Sequence, residues 1–344
     1  MKKAKVLLIG AVLVIFTLTS VFGAGATEAA GAYTWKPNRP INLIVPWGAG
    51  GSTDRSARAT AAIIEEALGI SVVVVNQAGA SGSLGTKATM DAPKDGYTWT
   101  AGAVKDLGVY KIQGLLDTTL DDWHIYTNVA MPNVISVNAN SPYKTFDDLL
   151  AAFKAKPGQI TVATAGVNSA GHTAMELLSK HTGITYRHVT YDGGAPAVTA
   201  TVGGEAEVVP QLSVEQVDMI RAGKLRPLVV LTTEPLEIEG YDGVVPPITN
   251  WISDFKVAAQ YFAIFVPKAV PKEVSDTLDK IWEENVMTSD SLRTWAKQNA
   301  VVFDPAYGKS AFDKSFGMVQ IDAWLKYDAG DAVMSPDSVG IPRP

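Results

Sequence analysis

The chain has 344 residues, with 29 Lys and Arg against 35 Asp and Glu, a net charge of −6 and no cysteine. An acidic surface of this kind repels nucleic acid and anionic lipid. The lack of Cys removes disulfides, thiolate-held zinc, catalytic thiols and thiol redox chemistry together. A length beyond ~250–300 residues points to two domains, with cores large enough to need no disulfide.

Lys2, Lys3 and Lys5 precede an apolar stretch from Val6 to about Val21, and Ala24-Gly25-Ala26 is a small-x-small cleavage site. The pattern predicts residues 1–26 as a cleaved signal peptide. The stretch is short for a membrane span, lacks a stop-transfer flank, and has no Cys for a lipid anchor. Cleavage leaves 26 basic against 35 acidic side chains, a net charge near −9. An anionic ligand would then have to be caught by local dipoles inside a cleft and not by the overall field, which favours a small, enclosed ligand.

Ile41 to Val45 is near-continuously apolar, the mark of a strand buried on both faces. It runs into Trp47-Gly48-Ala49-Gly50-Gly51-Ser52-Thr53-Asp54, and from Asp54 the period turns helical (Ala57, Ala61, Ile64, Leu68), with Gly69 as a stop. Glycines let backbone N–H groups turn toward a guest, and the helix start supplies the positive end of a dipole, so this loop can hold an anion without a Lys or Arg of its own. It lacks the last glycine of a dinucleotide fingerprint and the Gly-Lys-Ser/Thr ending of a P-loop. Two readings stay open: an anion site, or a tight βα turn with no ligand. Trp47 either stacks on a ligand or packs the strand end.

Ser71 to Val75 is a second buried strand, followed by a Gly/Ser loop over 76–85 and a helix through Lys87 to Asp91. Pro93 to Gly96 is a turn, and Tyr97 to Ala101 and Val134 to Val137 are strands. Thr145 and Asp148 form a near capping box for a helix that ends before Pro157-Gly158. Ile160 to Ala165 repeats the opening logic: a strand, a small-residue loop (Gly166 to His172), then a helix start. Glu207–Val209, Leu228–Leu231 and Phe262–Val266 read as strands, and the region from Ser275 to about Tyr327 as mostly helical. The alternation predicts α/β architecture with mainly parallel sheets and a ligand beyond the carboxyl ends of strands.

Ser169 and His172, three apart, raise a secreted serine hydrolase; no G-x-S-x-G elbow is present, and a helix start lined by small residues is the other reading. His124, His181 and His188 are scattered, with no H-E-x-x-H and no carboxylate cluster, so neither a metal nor another cofactor is expected.

Arg39-Pro40, Ile44-Val-Pro46, Gly50-Gly51-Ser-Thr-Asp54, Gly79-Ala-Ser-Gly82, Asp95-Gly96-Tyr97, Lys156-Pro157-Gly158, Gly171-His172, Tyr191-x-Gly193-x-Ala195-Pro196 and Ala222-Gly223-Lys224-Leu225-Arg226 follow in order over about 36–300. As a set they resemble the tripartite tricarboxylate transporter solute receptors, the Bug family. The resemblance implies a type II periplasmic binding protein: two α/β lobes joined by two crossover strands, a venus flytrap that closes on a ligand. It implies a first lobe at 27–130 plus 256–344 and a second at 131–255. Ligand contacts carried over by position are Trp47, Ala49, Gly50, Gly51, Ser52, Thr53, Asp54 and Ala80 on the first lobe. On the second they are Thr164, Ala165, Gly166, Asn168, Ser169, His172, Tyr191 and Gln211. Asp54 is expected to hold the loop and helix start.

Two departures stand out. Pro210-Gln211 replaces the family's Phe-Asp-like pair, with Glu207 nearby, and Tyr261-Phe262 replaces Trp-Phe in the late crossover. An acid facing the pocket would suit an ammonium group, whereas Gln211 donates as well as accepts, so an amine-free carboxylate is expected. The expected function is a monomeric, periplasmic or extracytoplasmic, non-enzymatic receptor that captures a small organic carboxylate and delivers it to membrane permease subunits. A receptor signalling to a membrane kinase or chemoreceptor is the alternative.

Overall fold

The computed structural model describes residues 33–255 and 259–344. The expected signal peptide lies outside them. In chain order the strands are β1 (Ile41–Val45), β2 (Val72–Asn76), β3 (Thr98–Ala103), β4 (Trp123–Met131), β5 (Val134–Asn138), β6 (Thr161–Thr164) and β7 (Arg187–Thr190). They continue as β8 (Val208–Val209), β9 (Leu225–Val230), β10 (Leu236–Glu237), β11 (Val244–Val245), β12 (Gln260–Pro267) and β13 (Val302–Tyr307). The helices are α1 (Ser52–Leu68), α2 (Ser83–Asp91), α3 (Val104–Val109), α4 (Phe146–Ala155) and α5 (Ala170–Thr182). The later ones are α6 (Gly194–Gly203), α7 (Ser213–Arg221), α8 (Lys272–Ile281), α9 (Asp290–Gln298) and α10 (Gly308–Ala329).

Two sheets carry the two lobes. The first has the order β13-β4-β12-β3-β1-β2 and the second β7-β6-β8-β5-β9, while β10 and β11 form a separate pair. The sheets are mixed and not mainly parallel. β1 pairs in parallel with β2 and β3, but β12 runs antiparallel between β3 and β4, and β13 runs antiparallel to β4. In the second sheet β6 is parallel to β7 and β8, and β5 is antiparallel to β8 and β9. The reason is the path of the chain: it leaves the first lobe along β4 and comes back along β12, so the returning strand enters in the opposite sense. The C-terminal region is mostly helical, as expected, with β13 set between α9 and α10.

Local chemistry sets the helix starts around the cleft. Thr145 and Asp148 make a full capping box on α4, as the sequence predicts. Ser169 caps α5 by accepting the His172 N–H at 3.3 Å. α1 and α6 begin at Gly51 and Gly193, and neither has a side-chain cap. Their first-turn N–H groups therefore get no acceptor from a capping side chain.

The C-terminal helix joins the two lobes. Val319 and Ala323 of α10 pack with Leu107, Trp123 and Phe265 of the first lobe, while Met318, Ile321 and Leu325 pack with Phe146, Val162 and Leu178 of the second. α10 approaches α3 closely because residue 108 is glycine: a methyl group there would sit 2.6 Å from a Val319 methyl. We predict that Gly108→Ala costs about 1–3 kcal/mol of stability through overpacking, read from urea denaturation, and that adding Val319→Ala recovers part of it. Additive losses in the double variant would contradict this contact.

Candidate functional site

The two lobes meet along a cleft formed by the loops at the strand ends, and they touch. Ser81 Oγ donates to Val167 O at 3.0 Å, and the Lys105 ammonium donates to Asn168 O at 2.9 Å. Arg55 of α1 donates to Val214 O at 2.5 Å, and the Ser52 N–H donates to Glu215 Oε1 at 2.9 Å. A methyl group at Gly48 would lie 2.8 Å from Asp192 O, so glycine permits a close backbone approach across the cleft.

Two cavities remain in the closed cleft, sharing Trp47, Gly48, Ala165 and Gly193 on their walls. The inner one, about 40 Å³, is lined also by Gly51, Ser52, Thr53, Ser169, Gly194, Gln211, Glu215 and Phe262, with Lys105 and Asp106 beside them. It has room for a few waters. The outer one, about 530 Å³, lies between Ala78–Gly82, Ala165–Val167 and Thr190–Gly193.

Of the residues singled out from sequence, Trp47, Gly51, Ser52, Thr53, Ala165, Ser169 and Gln211 line the inner cavity, and Ala80, Gly166 and Tyr191 the outer one. Ala49, Gly50, Asp54, Thr164, Asn168 and His172 line neither. Asp54 holds the loop: its carboxylate accepts from Gly50 N at 2.9 Å and from Arg58 Nε at 3.0 Å. Burial works to raise its pKa, but Arg58, the Gly50 N–H and Asn76 outweigh burial and keep it below the usual value. The Thr164 hydroxyl meets His188 Nε2 at 2.6 Å. The His172 ring stacks on His188 with centroids 4.4 Å apart. Gln211 is 1% exposed, and its Nε2 has no hydrogen-bond partner, a buried donor held at the cavity wall.

Sequence reading missed four charged residues behind this wall. Lys105 and Asp106 of α3 and Asp322 and Lys326 of α10 are all buried. Lys105 Nζ lies 2.8 Å from Asp106 and 3.6 Å from Asp322, and Lys326 Nζ lies 3.6 Å from Asp322. Burial disfavours charge on Lys105 and Asp322, yet their opposite neighbours prevail, holding the Lys105 pKa above and the Asp322 pKa below the ordinary value. The network grips Asn168, whose carbonyl takes the Lys105 bond and whose Oδ1 accepts from Lys326 at 2.8 Å, in a left-handed conformation (φ 70°). Asn168 thus acts from behind the loop.

Two acids, Asp106 and Glu215, stand at the inner cavity beside Gln211. Neither is free to meet an ammonium group, because Lys105 holds Asp106 and the α1 start holds Glu215. Glu207 faces elsewhere, accepting from Tyr143 and Thr161. Of the crossover pair, Phe262 reaches the inner cavity, while the Tyr261 hydroxyl turns to Asp304.

A two-lobed α/β fold with a ligand-sized cleft where helix starts and glycine loops converge defines a periplasmic-type solute-binding protein. The model of the tripartite tricarboxylate transporter family receptor matches residues 56–311. The chain is 31% identical to the protein BugT of Bordetella pertussis over 84% of its own length and 88% of that protein's. Its fold superposes on the periplasmic binding protein BugD with a TM-score of 0.77 at 24% identity, covering 86% of this chain and 99% of that one. The structure of R. palustris Rpa4515 with adipate superposes with a TM-score of 0.76 at 24% identity, covering 86% and 98%. The chain belongs to the tripartite tricarboxylate transporter receptor family, a family of periplasmic solute-binding receptors.

Burial and the neighbouring His188 push the His172 pKa from 6.5 down to about 4. The unfolded chain therefore takes up this proton first, and the stability held above about pH 6.5 is lost as the pH falls toward 4, by at most ~1.4 kcal/mol per pH unit. Urea midpoints should fall between pH 7 and pH 5 in the native chain and fall less in His172→Gln. Equal slopes would contradict this.

Proposed function

We propose that the chain is an exported receptor whose lobes, 27–130 with 256–344 and 131–255, close on a small amine-free organic carboxylate and present it to the permease subunits of a tripartite tricarboxylate transporter. Release of residues 1–26 leaves a monomer in the periplasm. The observation that carries this reading is the pair of uncapped helix starts facing the cleft, at Gly51-Ser52 and Gly193-Gly194, beside the unpartnered Gln211 donor. Peptide N–H groups at a helix start, with the dipole behind them, favour an anion and discriminate little between carbon skeletons. The relative that holds adipate has the same two-lobed fold, and its ligand is a dicarboxylate.

Trp47, Gly51, Ser52 and Thr53 form the first-lobe side of the proposed site, with Ala49 and Gly50 in the loop that carries them. Ala165, Gly166, Ser169, Tyr191 and Gln211 form the second-lobe side, with Ala80 at the rim. Asp54, Thr164, Asn168 and His172 shape these loops from behind. The site is non-catalytic: the Ser169 hydroxyl is engaged as a helix cap and the His172 imidazole stacks on another ring, so no base stands ready to activate a serine.

Ligand-stripped, refolded protein should show a raised unfolding midpoint with dicarboxylates and none with sugars or inorganic phosphate. A ligand at 100 times its Kd adds ~2.7 kcal/mol. Gln211→Leu should weaken carboxylate binding by about tenfold or more, by removing a buried donor. Shifts with sugars alone, or tighter binding of glutamate or aspartate than of every amine-free acid, would overturn the assignment.

A further inference from the structure

The inner cavity already contains a carboxylate, and it is the protein's own. Glu215, near the start of α7 on the second lobe, reaches across the cleft so that Oε1 accepts the Ser52 N–H of α1 at 2.9 Å. The same carboxylate lies against the start of α6, where a methyl group on Gly194 would be 2.2 Å from it. A methyl group on Gly51 would be 3.4 Å from Oε1. Both glycine helix starts are thus shaped around one carboxylate. Arg55 ties the adjacent Val214 carbonyl to α1 and keeps the two helices in register.

With Glu215 in place, the inner cavity of about 40 Å³ holds water but no organic acid. The buried Gln211 Nε2 on the same wall has no partner, so Glu215 meets the Ser52 N–H at the α1 start but leaves one donor of the site unused. An incoming carboxylate that met the same N–H and Gln211 would satisfy more of the site than Glu215 does.

We infer that Glu215 is an internal ligand: it occupies the carboxylate position between the two helix starts, holds the lobes together, and is displaced when solute binds. The inference rests on the reading of the cleft as a carboxylate site and adds a selection rule. A short monocarboxylate merely exchanges one carboxylate for another. A solute with a second polar end gains contacts in the outer cavity of about 530 Å³ as well. Displacement therefore selects extended diacids over acetate-like acids.

The test uses Glu215→Ala and the near-isosteric Glu215→Gln, which guards against a folding defect, in mature protein. The chain has no cysteine, so Ala62→Cys on α1 and Thr199→Cys on α6, both exposed, accept spin labels across the cleft. Solute-free native protein should show a short interlobe distance and both variants a longer one. Acetate at millimolar concentration should restore the short distance in Glu215→Ala, and acetamide should not. Adipate should bind both variants at least about tenfold more tightly than native protein. Equal or weaker adipate binding, or an unchanged distance in the solute-free variants, would overturn the internal-ligand role. If neither native protein nor variants bind any of a panel of carboxylates, the carboxylate reading itself fails.

Discussion

Uncapped helix starts are the constraint on which this cleft depends. α1 and α6 open on glycines, which offer no side-chain cap. Buried donors left unmet cost more than a hydrogen bond returns, so an acceptor must stand between them. For the Ser52 N–H that acceptor is Glu215. The same electrostatic demand underlies the contact between the lobes and the proposal that the cleft takes acids.

A second demand operates behind the first. Lys105, Asp106, Asp322 and Lys326 are removed from water and balance one another in charge. Buried ions of this kind contribute little net stability but penalise any arrangement that separates them. Here they reach from α3 and α10 to Asn168, a second-lobe residue held at a positive φ. α10 packs into both cores, so the helix that carries Asp322 and Lys326 touches both lobes. Closure is thereby tied to the inside of the protein as well as to the surfaces that touch.

Much of this was legible in the residues. Ile41–Val45 is a strand, Gly51 opens α1, Thr145 and Asp148 form their capping box, and Trp47, Ser52, Ser169 and Gln211 stand at the cavity. Short-range pattern carries such features because each arises within a few positions of the chain. Strand direction was not legible, since β12 owes its antiparallel place to the route of the chain between lobes. The ion network was hidden for the same reason: Lys105 and Asp322 are distant in sequence, and each read alone looks like an ordinary surface charge. Glu215 looked like one more acid in the first turn of a helix, and its importance lies in what α1 brings to it from the other lobe. His172 was placed at the ligand by the family resemblance; it lines neither cavity, and its ring stacks on His188.

The most direct measurement is a crystal structure of the mature protein saturated with adipate. The account predicts one adipate carboxylate between Gly51-Ser52 and Gly193-Gly194, within hydrogen-bonding distance of Gln211 Nε2, and the carbon chain directed past Trp47. Adipate bound elsewhere, for example in the apolar cavity of about 310 Å³ beside Met131 and Phe255, with the helix starts still met by Glu215, would contradict it.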